Sequence, residues 1–274
     1  MSEQIVAPTV EELLGEKFTP ISHRQLGAMA TSHLTRFGLI DGEQVAAKVF
    51  FSKSAHQKAH REEKLTKHIA EIGYQTIEPL DVIGPITVES DKKRHAAVLI
   101  SRYVPNLIAA HTLSYSHEPG TIQEIAMRKP VESIARTLSG LHSDNVTHGD
   151  AQLRNFGFKA AYFGGYVAPV PIVYDLESGM THKVKPGIGS EMYQNLAQKD
   201  LGTLMLSLGD RHYGGENDKD AGEIAREAVV DTYMSRYHGA HLSSLVLGQM
   251  VDFAQDEFQR GRHNNRPSLT TEQK

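Results

Sequence analysis

The most informative segment of the chain is His148-Gly149-Asp150-Ala151-Gln152-Leu153-Arg154-Asn155, which follows a helical pattern ending near His142. Working outward, 20 residues beyond Asn155 an apolar strand ends in Asp175-Leu176-Glu177. Four residues separate Asp150 from Asn155, so a tight loop brings a carboxylate and an amide to one point. A placed carboxylate can orient a hydroxyl and accept its proton. A second carboxylate, Asp175, together with the Asn155 amide oxygen, is the donor set of a hard divalent cation. Phosphoryl transfer makes those demands, and adds a Lys against the nucleotide phosphates, positioned by a Glu.

The N-terminal half supplies candidates for both. Leu34–Leu39, the turn Asp41-Gly42 and Val45–Phe51 read as strand, turn, strand. Alternation puts Lys48 on the opposite face from Ala47 and Val49. His56 to Ile72 has no Pro or Gly, an apolar stripe at Ala59, Leu65, Ile69 and Ile72, and Gly73 beyond its end. That pattern predicts a helix with a glycine stop, carrying Glu62 and Glu63. Thr76–Val82 and Ala96–Tyr103 read as further strands. Beyond Pro105 the helical period takes over. Val131–His142 is started by Pro130, and Leu196–Leu208, Ala221–Tyr237 and Leu242–Gln259 follow. Asn155–Phe158 and Pro171–Tyr174 read as a small hairpin.

In that order and spacing the residues resemble the protein-kinase-like superfamily over roughly Gly27 to Leu208. Glycine at position 149 is similar to the branch of aminoglycoside phosphotransferases, choline and related small-molecule kinases, lipopolysaccharide-core kinases and the smallest atypical protein kinases. The resemblance implies a two-lobed α+β fold. Residues 1–104 would be a β-rich nucleotide-binding lobe with one helix, 105–262 a mainly helical lobe with the catalytic loop, and 263–274 a frayed polar tail. It implies ATP and Mg²⁺ as cofactors and Asp150 as the base, with Asn155 and Asp175 as metal ligands. Lys48 would hold the phosphates, with Glu62 rather than Glu63 as its partner. His148 would be structural, and Asp200 would hold the backbone of the catalytic loop. Arg154, beside the base, is a candidate to neutralise the transferring group. The carbonyl of Arg102 and the amide of Val104 would read adenine, with Ser101 behind it. Glu177 fits the Asp-x-Glu form of the small-molecule branch.

Two departures shape the expectation. The nucleotide loop should begin near Gly27, but Gly27-Ala28-Met29-Ala30-Thr31-Ser32 has one glycine, leaving Thr31 and Ser32 hydroxyls to assist backbone amides. Only 25 residues separate Asp175 from Asp200, with no Ala-Pro-Glu between, so the peptide platform of ordinary protein kinases is largely missing. The expected activity is transfer of the ATP γ-phosphoryl to a hydroxyl of a small molecule or glycoconjugate. The alternatives are a protein Ser/Thr acceptor and a nucleotide-binding regulator without transfer.

Composition excludes other classes. Lys plus Arg is 29 against 33 Asp plus Glu in 274 residues, with no long block of either sign. Nucleic acid is therefore not expected as the main partner. No apolar stretch approaches the ~20 residues of a spanning helix. The N-terminus lacks a secretion signal, so a cytoplasmic protein is expected. With no cysteine there are no disulfides, thiolate metal sites or thiol nucleophiles. Among 15 histidines, His56 and His60 lie four apart on one helix. No Glu follows His56 as in the zinc-protease motif, and the pair reads as surface residues.

Overall fold

A computed structural model describes residues 8–21, 35–88, 91–112, 122–159, 169–176, 178–182, 191–210, 219–237, 239 and 242–264. The chain divides into two compact units. One is Met1–Ile108 with Ile172–Ser178, the other Ala109–Pro171 with Gly179–Lys274.

The first unit is built on a five-stranded sheet in the order β1-β2-β3-β6-β5, from β1 (Thr19–Pro20), β2 (Thr35–Ile40), β3 (Glu43–Ser52), β5 (Pro79–Val88) and β6 (Asp91–Arg102). Asp41 and Gly42 take φ of 52° and 82°. Both angles are positive, as the hairpin turn that matches strand twist demands, and this fixes the register Thr35↔Lys48 through Ile40↔Glu43. Alternation along β3 then sorts the side chains. Val45, Ala47 and Val49 join Val98 and Ile100 beneath Val10, Leu14 and Phe18, the first two from α1 (Val10–Leu14). Phe50 joins Ala97 and Leu99 on the other face, against Ala55 and Ala59 of α2 (Ala55–Glu71). Lys48 shares the α2 face, its ammonium 4.9 Å from the centre of the Phe50 ring. α2 buries Ala59, Glu62, Leu65, Thr66 and Ile69, and ends before Gly73, whose φ of 99° suits glycine. Next, β4 (Gln75–Thr76) pairs in parallel with β10 (Ile172–Val173), register Gln75↔Ile172. That pairing ties the segment containing Asp175 to the first unit.

The second unit is helical: α3 (Ile122–Ser143), α4 (Glu191–Gly209), α5 (Lys219–Arg236) and α6 (Ser244–Asn264). Ile134, Leu138 and Leu141 of α3, Leu201, Leu204 and Leu208 of α4, and Tyr233 of α5 are fully buried. Each such aliphatic side chain contributes roughly 1.5–3 kcal/mol. α4 and α6 approach at backbone distance. A Cβ on Gly209 would lie 2.1 Å from the Phe258 carbonyl oxygen, one on Gly261 2.4 Å from the Leu206 carbonyl oxygen, and one on Gly202 2.5 Å from the Phe253 ring. Short strands β7 (Leu107–Ala109), β8 (Val146–Thr147), β9 (Phe156–Lys159) and β11 (Met180–Thr181) complete the described strands, with β8 and β11 antiparallel.

Two expectations are corrected. Pro130 lies inside α3 rather than at its start. Proline removes only one donor, a small loss in a 22-residue helix whose Ile134, Leu138 and Leu141 are fully buried. The last helix, expected to end at Gln259, continues to Asn264, two residues into the expected tail. The Arg262 guanidinium bridges to Glu223 of α5 at 2.5 Å and lies 5.6 Å from the Phe258 ring centre, which holds that added stretch of helix in place. Among the described residues, no helix is long and apolar enough to cross a membrane.

Candidate active site

In the first unit, Lys48 Nζ lies 2.8 Å from Glu62 Oε2 and 2.5 Å from Asp175 Oδ1. Strand β3, helix α2 and the segment after β10 thus deliver one cation and two carboxylates to a point. The Glu62 carboxylate is buried at 4% exposure, and its backbone carbonyl accepts from the Thr66 hydroxyl at 2.7 Å. Glu63 instead meets His60 at 2.8 Å and Lys67 at 2.7 Å, so Glu62 is the residue beside Lys48. Burial works against the Lys48 charge, but the Glu62 and Asp175 carboxylates outweigh it and hold its pKa above the ordinary value. Asp175 takes φ of 61°, a left-handed conformation that costs an ordinary residue roughly 1–2 kcal/mol. Strain of this kind in a carboxylate that is 43% exposed is common where chemistry is done. Burial, with the Asp175 charge beside it, pushes the Tyr174 phenol up.

At the end of β6, Ser101 is half-buried and pairs with Ala46 and Pro79. The Arg102 amide donates to the Glu78 carbonyl at 2.8 Å, and the Tyr103 amide to the Gln44 carbonyl at 3.2 Å. The Arg102 guanidinium pairs with Glu78 at 2.6 Å on the surface, where such a pair adds little stability.

In the second unit, Asn155 Nδ2 donates to the Asp150 carbonyl at 2.8 Å and to Asp150 Oδ2 at 3.0 Å. Both bonds use the amide nitrogen, so the Asn155 oxygen is the end left for a hard cation. Gln152 Nε2 holds Asp150 Oδ1 at 2.8 Å, and Arg154 Nη2 stands 3.8 Å from Asp150 Oδ2 with its side chain 60% exposed. Beneath the loop, the fully buried Asp200 accepts from the His148 amide at 2.6 Å and the Gly149 amide at 2.8 Å. A φ of 85° at Gly149 aims the two consecutive N–H groups at one carboxylate. The His148 ring is buried and tilted against Phe156, 5.3 Å between centres, and its Nδ1 accepts from the Asp150 amide at 3.4 Å, which is a structural role.

Sequence reasoning missed what holds Asp200. His142 Nε2 lies 3.2 Å from Asp200 Oδ2, and its Nδ1 lies 2.5 Å from the Tyr233 hydroxyl. The Tyr193 hydroxyl donates to the His142 carbonyl. Ser207, seven residues after Asp200, accepts from the Leu153 amide at 3.0 Å. The available signal was polar residues set among apolar ones at helical spacing. Gly27, Thr31, Ser32 and Glu177 lie outside the described residues.

No family model matches the chain, and no curated protein sequence matches it. Solved structures do. WaaP in complex with acyl carrier protein is similar at 18% identity and TM-score 0.52, over 84% of this chain and 88% of that one. This is the protein-kinase-like fold. An aminoglycoside-3'-phosphotransferase of type VIII is similar at 13% identity and TM-score 0.50, over 88% of this chain and 94% of the other.

Proposed function

We propose that this kinase-like protein is an ATP-dependent phosphotransferase acting on the hydroxyl of a small molecule or glycoconjugate. The observation that carries the reading is Lys48 clasped by Glu62 and Asp175, three residues delivered by a strand, a helix and a segment 127 residues away. A lysine so placed neutralises nucleotide phosphates, and its glutamate fixes where the ammonium sits. Asp175 and the Asn155 amide oxygen are each hard oxygen donors of the kind Mg²⁺ takes. When bound, Mg²⁺ would offset charge on the β- and γ-phosphates. Asp150 orients the acceptor hydroxyl and accepts its proton, with Gln152 and Asn155 fixing both carboxylate oxygens. Arg154 is the cation nearest that base in the described loop, suited to the charge on the group in transit. The backbone of Arg102 and Val104 would read the adenine, with Gly27, Thr31 and Ser32 over the phosphates. The short run between Asp175 and Asp200 favours a small acceptor over a protein.

Titration of Asp175→Ala with ATP in the presence of Mg²⁺ tests the metal assignment, and Asp150→Ala tests the base. Asp175→Ala is expected to lose Mg²⁺-dependent nucleotide binding. Asp150→Ala should keep it while turnover falls on the order of 10²–10⁴-fold. Wild-type turnover in Asp150→Ala overturns the reading of Asp150. Labelled phosphate found on protein serine or threonine, and on no sugar or aminoglycoside offered, replaces the small acceptor with a protein.

A further inference from the structure

The face of α2 turned away from Lys48 carries a second constellation. His56 and His60, one helical turn apart, bring their Nε2 atoms to 3.0 Å, with ring centres at 4.4 Å. On the other side of the His60 ring, Nδ1 lies 2.8 Å from Glu63 Oε2. Glu63 is itself held by Lys67 at 2.7 Å. A carboxylate at Nδ1 takes the proton-bearing nitrogen, so His60 is the Nδ1–H tautomer and its Nε2 is a lone pair. Without a cation, His56 must therefore donate its own Nε2–H to His60. Moving that proton to His56 Nδ1 releases nothing to solvent and turns two lone pairs toward one point.

We propose that His56 and His60 bind a divalent transition-metal ion, with Glu63 as the group that orients His60. Two nitrogens at roughly 2.1 Å from a metal and roughly 90° apart are separated by about 3.0 Å; at a tetrahedral angle they are separated by about 3.4 Å. The observed 3.0 Å fits adjacent corners of a tetragonal or octahedral ion, which puts Cu²⁺ and Ni²⁺ ahead of Zn²⁺. Neutral imidazole with a carboxylate behind it is the usual arrangement of a metal-binding histidine. Among the described residues no group of three His, Asp or Glu side chains surrounds a common point. Water therefore completes the shell, and the site is a two-histidine clamp. It spans the first turns of α2, where Ser54 makes no side-chain cap. The site rests on α2 alone and is independent of the phosphotransferase reading.

The test is calorimetric titration of the full chain with CuCl₂ and NiCl₂ in a non-coordinating buffer, with electron paramagnetic resonance at one equivalent of Cu²⁺. The wild type is expected to take a first equivalent showing coupling to two nitrogens. His56→Ala and His60→Ala should each lose that equivalent, while His68→Ala, on the same helix, keeps it. Glu63→Gln retains both ligands and should bind about tenfold more weakly. Either histidine variant titrating with wild-type affinity and spectrum overturns the site. Unchanged affinity in Glu63→Gln overturns the role of Glu63. His60 is 41% exposed, so these substitutions do not hollow the core.

Discussion

Replacing Asp200 by Asn keeps the side chain's shape and removes its charge at the point where the His148–Asn155 loop is tied to α4. The carboxylate accepts from the His148 amide, the Gly149 amide and His142 Nε2, all within 3.2 Å and with no water access. An amide oxygen in the Oδ2 place can serve His148 and His142, but its –NH₂ then faces the Gly149 N–H, donor against donor. One bond to a charged acceptor, about 1.5–3 kcal/mol, is lost, and two others weaken by about 0.5–1 kcal/mol each. The expected loss is about 2.5–5 kcal/mol, within the roughly 5–15 kcal/mol of a folded domain. Asp200→Asn should therefore fold, melt roughly 5–20 °C lower, and exchange the His148 and Gly149 amide protons faster. Urea denaturation with amide exchange measures both. A loss under about 1 kcal/mol with wild-type protection of those two amides would refute the account of Asp200.

Lys48→Met strands the buried Glu62 carboxylate without its cation and should cost about 3–5 kcal/mol. Adding Glu62→Gln should restore part of it, and strict additivity in that double-mutant cycle would show the pair to be uncoupled. The Lys48 pKa is raised on folding, so its contribution is complete below the unfolded value of 10.5 and is lost as pH rises through the higher folded value. Wild type should therefore lose stability more steeply than Lys48→Met above about pH 10.5, as read by denaturation across alkaline pH. Gly209→Ala drives a methyl group to 2.1 Å from a backbone oxygen. It should cost about 1–3 kcal/mol or more and lower the melting temperature accordingly, whereas Gly248→Ala, with open space at its Cβ, should not.

How much was legible in the sequence depended on whether a residue's partners were local. Lys48 was readable because a two-residue period fixes which side of a strand it leaves. Asp41-Gly42 was readable because only a few residue types accept positive φ at both turn positions. Asp150 and Asn155 lie in one short loop, so spacing alone brought them together. The support of Asp200 was not legible. It is assembled from His142, Tyr233 and Tyr193 on three different helices, and no periodicity reports which helices meet. The choice between Glu62 and Glu63 needed the family resemblance, since both positions satisfy helical spacing and only packing decides which one is buried. Pro130 was misread for a related reason. Proline is rare inside helices because of one missing bond, and a local rule cannot see that a long, well-packed α3 absorbs the loss.

The seven-residue spacing within α4 makes that helix a measuring rod for the loop above it. Asp200 grips the loop at His148 and Gly149, Ser207 grips it at Leu153, and about 10 Å of helix axis separates the two. Gly202 and Gly209 repeat the same interval on the reverse side, where the absence of side chains lets α6 press in and leaves α4 no room to slide or roll. The position of Asp150 is therefore inherited from a rigid strut rather than negotiated by the loop. Neighbouring segments can therefore change in length and chemistry while the Asp150 carboxylate stays at a fixed height above α4.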